Sequence, residues 1–484
     1  MNWLLVYEIF YVTLLILACM RIVYDTRSNT KTLAYLLLVI FLPLLGIFIY
    51  FSFGINYHKR KIYSKKLVQD DVLEKSVREK LWQHSRQIFA KGSPALRDNK
   101  ELAYMLVKDS GSAITTHNEV KILVNGEEKF PAVLQAMATA KDHIHIEYYI
   151  YEDDEIGNAI ADMLERKAAE GVEVRFIYDD FGSRSIRRRL VKRLQKAGVK
   201  AFPFYRIIFI ALANRLNYRN HRKIIVIDGC VAFVGGINVS DRYINCGKKN
   251  KVFWRDTHLQ LEGPGVQYLQ YLFLCDWNFC ASEHLQPTPR FFPPDESLPV
   301  KGNKTVQVAA SGPDSDTPTM LFALLQAIYL AREELLITTP YFIPGESIID
   351  ALVVSAMGGV KVRLLVPGIS DSLIVNAAAR SYYSDLLDAG VEVYQYQKGF
   401  VHAKTLVADR KLAIVGTANM DNRSFELNFE VAALVYDEAT ARELATVFEK
   451  DISDALRIDP YAWQNRPWYK QLMDKTARLV SPLL

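Results

Sequence analysis

Two long apolar runs open the chain, and an alternating pattern that occurs twice fills most of the rest. Trp3 to Met20 is apolar apart from Glu8, and Leu33 to Phe53 runs 21 residues without a charge. Each approaches the ~20 residues that cross a bilayer as a helix. Residues 1–56 are therefore expected to form two transmembrane helices in a hairpin. Pro43 and Gly46 fall inside the second run, and both are tolerated in membrane helices. Residues 57–118 are charged and helical in pattern, and read as a connector. His143 to Tyr151 then alternates as a strand does, a helical pattern covers Ile156 to Ala169, VEVRFIY is a second strand, and a helix runs up to Ala197. This βαβα order predicts a mostly parallel sheet with helices on its faces.

The same order returns after a Pro-rich stretch. ELLITTPYF matches HIHIEYYI, GVKVRLLVP at Gly359 matches GVEVRFIYD at Gly171, and AGVEVY at Ala389 matches AGVKAF at Ala197. Repetition on this scale predicts two like domains. The expected fold class is α/β: two tandem αβα domains, 119–286 and 301–458, related by a pseudo-two-fold axis. A linker over 287–300 joins them, the transmembrane hairpin precedes them, and 459–484 forms an amphipathic tail.

Charge sets the orientation. Lys59 to Lys66 holds five basic residues, whereas the loop between the spans has only Arg21, Arg27 and Lys31. By the positive-inside rule everything after Phe53 is cytoplasmic, with the N-terminus on the same side. No Lys or Arg precedes the first apolar run, which argues against a cleaved signal peptide. The net charge of +5 permits an anionic membrane partner but is too small to argue for nucleic acid. Five cysteines without repeating spacing argue against a disulfide framework. With no CxxC, HExxH or Walker A loop, neither a metal nor a nucleotide cofactor is expected. Tyr205 to Arg219, apolar with basic edges, is either an interfacial segment or a buried helix.

The chemistry lies in HRKIIVIDGCVAFVGGIN, His221 to Asn238, and HAKTLVADRKLAIVGTAN, His402 to Asn419. Both read H-x-K-x4-D-x6-G-x2-N. Residues i and i+2 of a strand share a face, so His221 points with Lys223 and His402 with Lys404. Gly235 and Gly416 permit close approach of backbone or ligand. Asn238 and Asn419 bring an amide back beside each pair. An imidazole, an ammonium and an amide around one point form a phosphate site in which the imidazole can attack phosphorus. Two histidines supply a nucleophile and an acid. WRDTHLQL aligns with NFEVAALV, which nominates Asp256 and Glu430 to orient the histidines. The motif groups Asp228 and Asp409 with the catalytic residues, although their place at the turn end of a strand favours a structural role. His143 and His145 belong to no repeated motif and are expected to be structural.

The paired motif resembles that of the phospholipase D superfamily, the "HKD" enzymes. Together with the hairpin, the IHIEYYIYEDDEIG and TPYFIPGESI stretches and the SPLL ending, the chain is similar to the bacterial cardiolipin synthases along essentially its whole length. The resemblance implies phospholipase D-like domains and phosphatidyl transfer between two phosphatidylglycerol molecules, giving cardiolipin and glycerol at the cytoplasmic face of the plasma membrane. It also implies His221 as nucleophile and His402 as acid. A lipid hydrolase, a phosphatidylserine synthase and an inactive membrane scaffold are the alternatives. Neither oligomeric state nor acyl-chain preference is readable.

Overall fold

The computed structural model describes residues 3–26, 29–51, 85, 87–89, 92–205, 218–246, 252–281, 283–294 and 302–479. The basic run at 59–66, most of the 57–118 connector before residue 92, residues 206–217 of the Tyr205–Arg219 segment, the end of the linker and the SPLL ending lie outside them.

Helix α1 (Trp3–Asp25) runs beyond the first apolar stretch and ends in an Arg21–Asp25 ion pair of 2.7 Å. The second apolar stretch is not one helix. It divides into α2 (Asn29–Phe41) and α3 (Pro43–Ile49), with Leu42 at φ −134° between them. Pro43 has no N–H to donate and its ring clashes with the carbonyl four residues back, which bends the helix there. Gly46 makes the bend possible, because a Cβ on it would stand 2.6 Å from the Cα of Val39. Among the described residues only α1, over Leu5–Asp25, is long and apolar enough to cross a membrane as a single helix. Ala18, Ile22, Val39 and Tyr50 pack the hairpin together, while Leu5, Phe10, Leu17, Phe41 and Leu44 point outward.

Each later half builds the same set of strands. The first half has β1 (Thr115–Val124), β2 (His143–Tyr148), β3 (Glu173–Tyr178), β4 (Lys200–Pro203), β5 (Lys223–Ile227), β6 (Val231–Gly235) and β7 (Thr257–Glu262). The second has β8 (Lys304–Ser311), β9 (Glu334–Thr338), β10 (Lys361–Pro367), β11 (Glu392–Tyr396), β12 (Thr405–Ala408), β13 (Leu412–Gly416) and β14 (Asn428–Tyr436). Helices α4 (Asn125–Ala138), α5 (Glu155–Ala169) and α6 (Val266–Cys280) in the first half correspond to α7 (Thr319–Leu330), α8 (Glu346–Met357) and, after the short α9 (Leu373–Arg380), α10 (Glu438–Ser453).

These strands form one sheet in the order β11-β10-β9-β12-β13-β14-β8-β1-β7-β6-β5-β2-β3-β4. Read outward from the centre, each half has the same sequence of strands, as a pseudo-two-fold requires. The join is β1 against β8, with Thr115 opposite Val306 and Asn118 opposite Lys304. The sheet is mixed rather than mostly parallel. Only β2-β3-β4 and β9-β10-β11 run parallel, and β5, β6 and β7, like β12, β13 and β14, are antiparallel to their neighbours. Each motif is a tight hairpin with three residues between its paired strand ends, and such a turn joins antiparallel strands only.

One apolar cluster crosses the join. Val120, Ile122, Val226 and Leu259 of the first half share it with Val308, Val431, Ala433 and Leu444 of the second, under α6 and α10. Burial of such side chains contributes about 1.5–3 kcal/mol each, so the halves cohere as one body. The helical stretch before β1 is more than a connector. Leu96, Leu102 and Leu106 pack into the core of the second half.

Two motif glycines hold the sheet tight beside the strands that carry the motif His and Lys residues. A Cβ on Gly235, at φ +152°, would lie 2.6 Å from the Cα of His258, and one on Gly416 would lie 2.6 Å from the Cβ of Ala432. Gly235→Ala and Gly416→Ala are each expected to destabilise the fold by about 1–3 kcal/mol. The measurement is the thermal midpoint of the detergent-solubilised protein. Gly171→Ala is the comparison for Gly235, since Gly171 has φ +90° and nothing within 4 Å of its Cβ position. An equal midpoint for the two would remove the packing argument.

Candidate active site

The motif hairpins set the site's frame from their closed ends. Asp228 and Gly229 take φ +51° and +67°, and Asp409 and Arg410 take +51° and +52°, the left-handed pair that a tight hairpin turn needs. The Asp228 carboxylate accepts the backbone N–H groups of Lys141, Asp142 and His143 at 2.8–2.9 Å. Asp409 does the same for Arg332, Glu333 and Glu334 at 2.7–2.9 Å. Both aspartates lie five residues past the motif lysine, roughly 16 Å along the strand. The motif groups them with the catalytic residues, but the structure makes them turn locks that pin the hairpin to the start of β2 or β9. Their oxygens are taken up by amides far from the histidines.

At the open ends the two halves exchange strands. Arg219–Asn220 pairs in parallel with Asn428–Phe429, and the N–H of His221 donates to the carbonyl of Phe429 at 3.0 Å. Gly399–Val401 pairs in parallel with Phe253–Arg255, and the N–H of His402 donates to the carbonyl of Arg255 at 2.7 Å. The residues next in line, Glu430 and Asp256, then meet the histidine of the opposite half. His221 Nδ1 lies 3.0 Å from each Glu430 oxygen, and His402 Nδ1 lies 2.7 Å from Asp256 Oδ2. A carboxylate only accepts here, so it places the proton on Nδ1 and leaves the Nε2 lone pair for chemistry.

The lysines turn back on their own histidines. Lys223 Nζ donates to the carbonyl of His221 at 2.7 Å. Lys404 Nζ donates to the carbonyl of His402 and also lies against its imidazole ring, 2.9 Å from Nδ1 and 3.1 Å from Nε2. Among the described residues Lys223 makes no matching contact with the ring of His221, which instead meets the Tyr149 ring edge-on with centroids 4.8 Å apart. The near-symmetry also breaks beside the carboxylates. Thr417 donates its hydroxyl to Glu430, while the matching position is Gly236, where a Cβ would run into the Asp256 carboxylate.

Burial dominates the electrostatics. It pushes His221 below the ordinary histidine range against the pull of Glu430, and takes His402 down to about 3 with Lys404 adding to the effect. It lowers Lys223 to about 7 and Lys404 to about 8. Burial would raise the Glu430 carboxyl, but His221, Lys223 and Thr417 together hold it low. Two imidazoles therefore converge on one space, with two buried lysines near them whose charge burial disfavours.

That space is a cleft of about 370 Å³ lined by His221, His402, Asn238 and Asn419. Asn238 is fixed by donating to the Tyr243 hydroxyl at 2.9 Å, and Asn419 by donating to Asp421 at 3.0 Å. Arg219, Arg423, Tyr243 and Asp421 also line the cleft, and no motif pointed to them. Tyr243 lies five residues past Asn238, where the second half has Ser424, so comparison of the repeats passes over it. His143 and His145 are buried away from the cleft against Gln270.

Comparisons agree with this geometry. The family model described as "Cardiolipin synthase, PLD-like domain" matches residues 133–271 and 324–452, and one described as "Phospholipase_D-nuclease N-terminal" matches 13–54. The chain is 38% identical over 478 residues to the major cardiolipin synthase of Bacillus subtilis, covering 99% of this chain and 98% of that one. It is 40% identical over 466 residues to a cardiolipin synthase of Alkalihalophilus pseudofirmus, covering 96% and 91%. Among solved structures, the phosphatidylserine synthase of Haemophilus influenzae superposes with a TM-score of 0.58 at 14% identity, covering 80% of this chain and 99% of that one, which shows the shared fold alone. The chain belongs to the cardiolipin synthase family, phosphatidyltransferases of the phospholipase D superfamily.

Proposed function

We propose that the protein transfers a phosphatidyl group between two phosphatidylglycerol molecules, giving cardiolipin and glycerol through a phosphatidyl-histidine intermediate. The observation that carries this reading is the cleft itself. Two imidazoles face one space, each held by the carboxylate of the opposite half, beside two lysines whose charge needs an anion. A phosphodiester supplies that anion.

His221 Nε2 attacks phosphorus, the P–N bond forms, and the bond to the glycerol oxygen breaks. His402, charged once the anion offsets its burial, gives its Nε2 proton to the departing glycerol. A hydroxyl of the second phosphatidylglycerol then returns a proton to His402 as it attacks phosphorus, and the P–N bond breaks. Lys223, Lys404, Asn238 and Asn419 hold the phosphate oxygens, the main requirement of phosphoryl transfer. Glu430 and Asp256 are positioning residues. No bond energy is lost overall, so the exchange runs without a nucleotide.

The surrounding sequence supports a plasma-membrane setting. The hairpin crosses the bilayer twice, its second crossing made by the bent α2–α3 pair, and the basic run at 59–66 keeps both catalytic halves on the cytoplasmic side.

His221→Ala and His402→Ala should each lower turnover by about three or more orders of magnitude, and the double variant little further, since the two act as a unit. Glu430→Gln and Asp256→Asn should cost about 10²–10⁴-fold through the wrong tautomer. Measured turnover near normal in either histidine variant would remove the two-motif site.

Binding should depend on pH through the lysines. In the empty cleft Lys223 titrates at about 7 and Lys404 at about 8, and a bound phosphate raises both. Below the free values both are charged before and after binding, so KM is flat. Above them binding takes up protons, and KM for phosphatidylglycerol should rise by up to about tenfold per pH unit for each lysine. A KM that stays level between about pH 6 and 9 would contradict this.

A near-balanced exchange also runs backwards. Excess glycerol added to enzyme and cardiolipin should regenerate phosphatidylglycerol, with phosphatidic acid a minor product by lipid mass spectrometry. Phosphatidic acid that dominates whatever alcohol is supplied would identify a hydrolase.

A further inference from the structure

The last described helix, α11 (Trp468–Leu479), is docked the wrong way round for a helix in water. Its polar side faces the protein. Asp474 is 2% exposed and accepts from Arg380 at 2.8 Å and from Arg466 at 3.0 Å. Gln471 donates to the carbonyls of Gln464 and Arg466, and the Arg478 guanidinium sits 4.3 Å over the Tyr382 ring. Its apolar side faces out, with Trp468 at 74% exposure, Met473 at 64% and Leu479 at 80%, and Leu472 beside them. A surface helix of a soluble domain turns the opposite faces in and out.

Helix α9, which carries Arg380, continues this surface. Its first turn exposes Leu373 by 86% and Ile374 by 57%. The same turn borders the catalytic cleft, since Ser372 and Val375 line it. In the first half Phe181, half exposed, lies under the guanidinium of the cleft residue Arg219 at 4.4 Å. Exposed apolar side chains thus adjoin lining residues of the cleft in both halves. Exposed Lys470 and Lys475 flank the apolar side of α11, the distribution of an interfacial helix on an anionic leaflet.

We propose that α11 and the first turn of α9 form a lipid-docking surface that seats the cleft mouth on the bilayer. The proposal rests on the lipid-substrate reading above. A cleft of about 370 Å³ takes headgroups and leaves acyl chains outside. Those chains remain in the membrane only if the mouth lies at its surface. A large exposed apolar patch marks an interaction site, and a protein partner seated here would crowd the path by which lipid reaches the cleft. Leu472, Met473 and Leu373 therefore enter the boundary between headgroups and acyl chains, and the lysines meet anionic headgroups.

The test uses the full chain reconstituted in vesicles of phosphatidylethanolamine and phosphatidylglycerol. A photoreactive benzophenone side chain replaces Leu373, Leu472 or, as the control, Glu333, which is exposed at the opposite end of the sheet beside the Asp409 turn. Illumination should give phospholipid adducts at 373 and 472 and none at 333. Adducts only to a second copy, or to another segment of the same chain, would overturn the proposal, as would no adduct at all. In a second arm, a combined L373Q, I374Q, L472Q and M473Q variant should lose about tenfold or more of its turnover on vesicles, and keep it within about twofold on detergent–lipid micelles, where docking is not needed. Unchanged vesicle turnover, or an equal loss on micelles, also counts against it. If the unmodified protein turns over phosphatidylglycerol in neither form, the phosphatidyl-transfer reading fails, while lipid adducts at 373 and 472 still support docking.

Discussion

The exchange of strands between the halves is the constraint on which the site depends. The N–H of His221 is tied to the carbonyl of Phe429 and that of His402 to the carbonyl of Arg255. Those two bonds set the register that brings Glu430 to His221 and Asp256 to His402. Neither half can finish its own histidine, because the carboxylate that fixes the tautomer comes from the other. The apolar cluster beneath β1 and β8 makes this workable. It holds the halves rigidly enough that hydrogen bonds of 2.7–3.0 Å persist across the join.

The same arrangement explains how the protein tolerates so much buried charge. Taking a lysine or an imidazolium out of water is costly unless a partner compensates. Glu430 and Asp256 are each engaged by a histidine, and nearby carboxylates only partly offset what burial costs the lysines. Their depressed pKa values express that shortfall. A phosphate removes it, so the free energy withheld in the empty cleft becomes affinity for an anionic diester. Duplication supplies the two histidines, and small departures from symmetry give them different surroundings. Lys404 lies against the ring of His402, while Thr417 braces Glu430 opposite a bare Gly236.

Membrane contact and catalysis meet in the second half. Helix α9 lends Val375 to the cleft, Leu373 and Ile374 to the exterior, and Arg380 to the ion pairs that hold α11. A headgroup-sized cleft, exposed apolar side chains beside it and an outward-facing apolar helix answer one physical requirement. Phosphorus has to reach the imidazoles while its acyl chains stay out of water.

Much of this was open to reading along the chain, because it follows from local geometry. The period of two in a strand places His221 with Lys223 and His402 with Lys404, whatever the rest of the fold does. Asp228 at a hairpin turn already favoured a structural role, and the internal repeat predicted the pseudo-two-fold and, through WRDTHLQL and NFEVAALV, the acids Asp256 and Glu430. Other features depended on long-range contacts. Which carboxylate meets which histidine is decided between residues 209 and 146 positions apart, by a strand register that no local pattern encodes. Tyr243 and Asp421 break the repeat and so gave no signal. How tightly the bend at Pro43 can close depends on the space Gly46 leaves for Val39, and the outward face of α11 follows from its ion pairs with Arg380 and Arg466. Sequence spacing determines which way a side chain points from its own strand or helix; only the packed fold decides what stands opposite it.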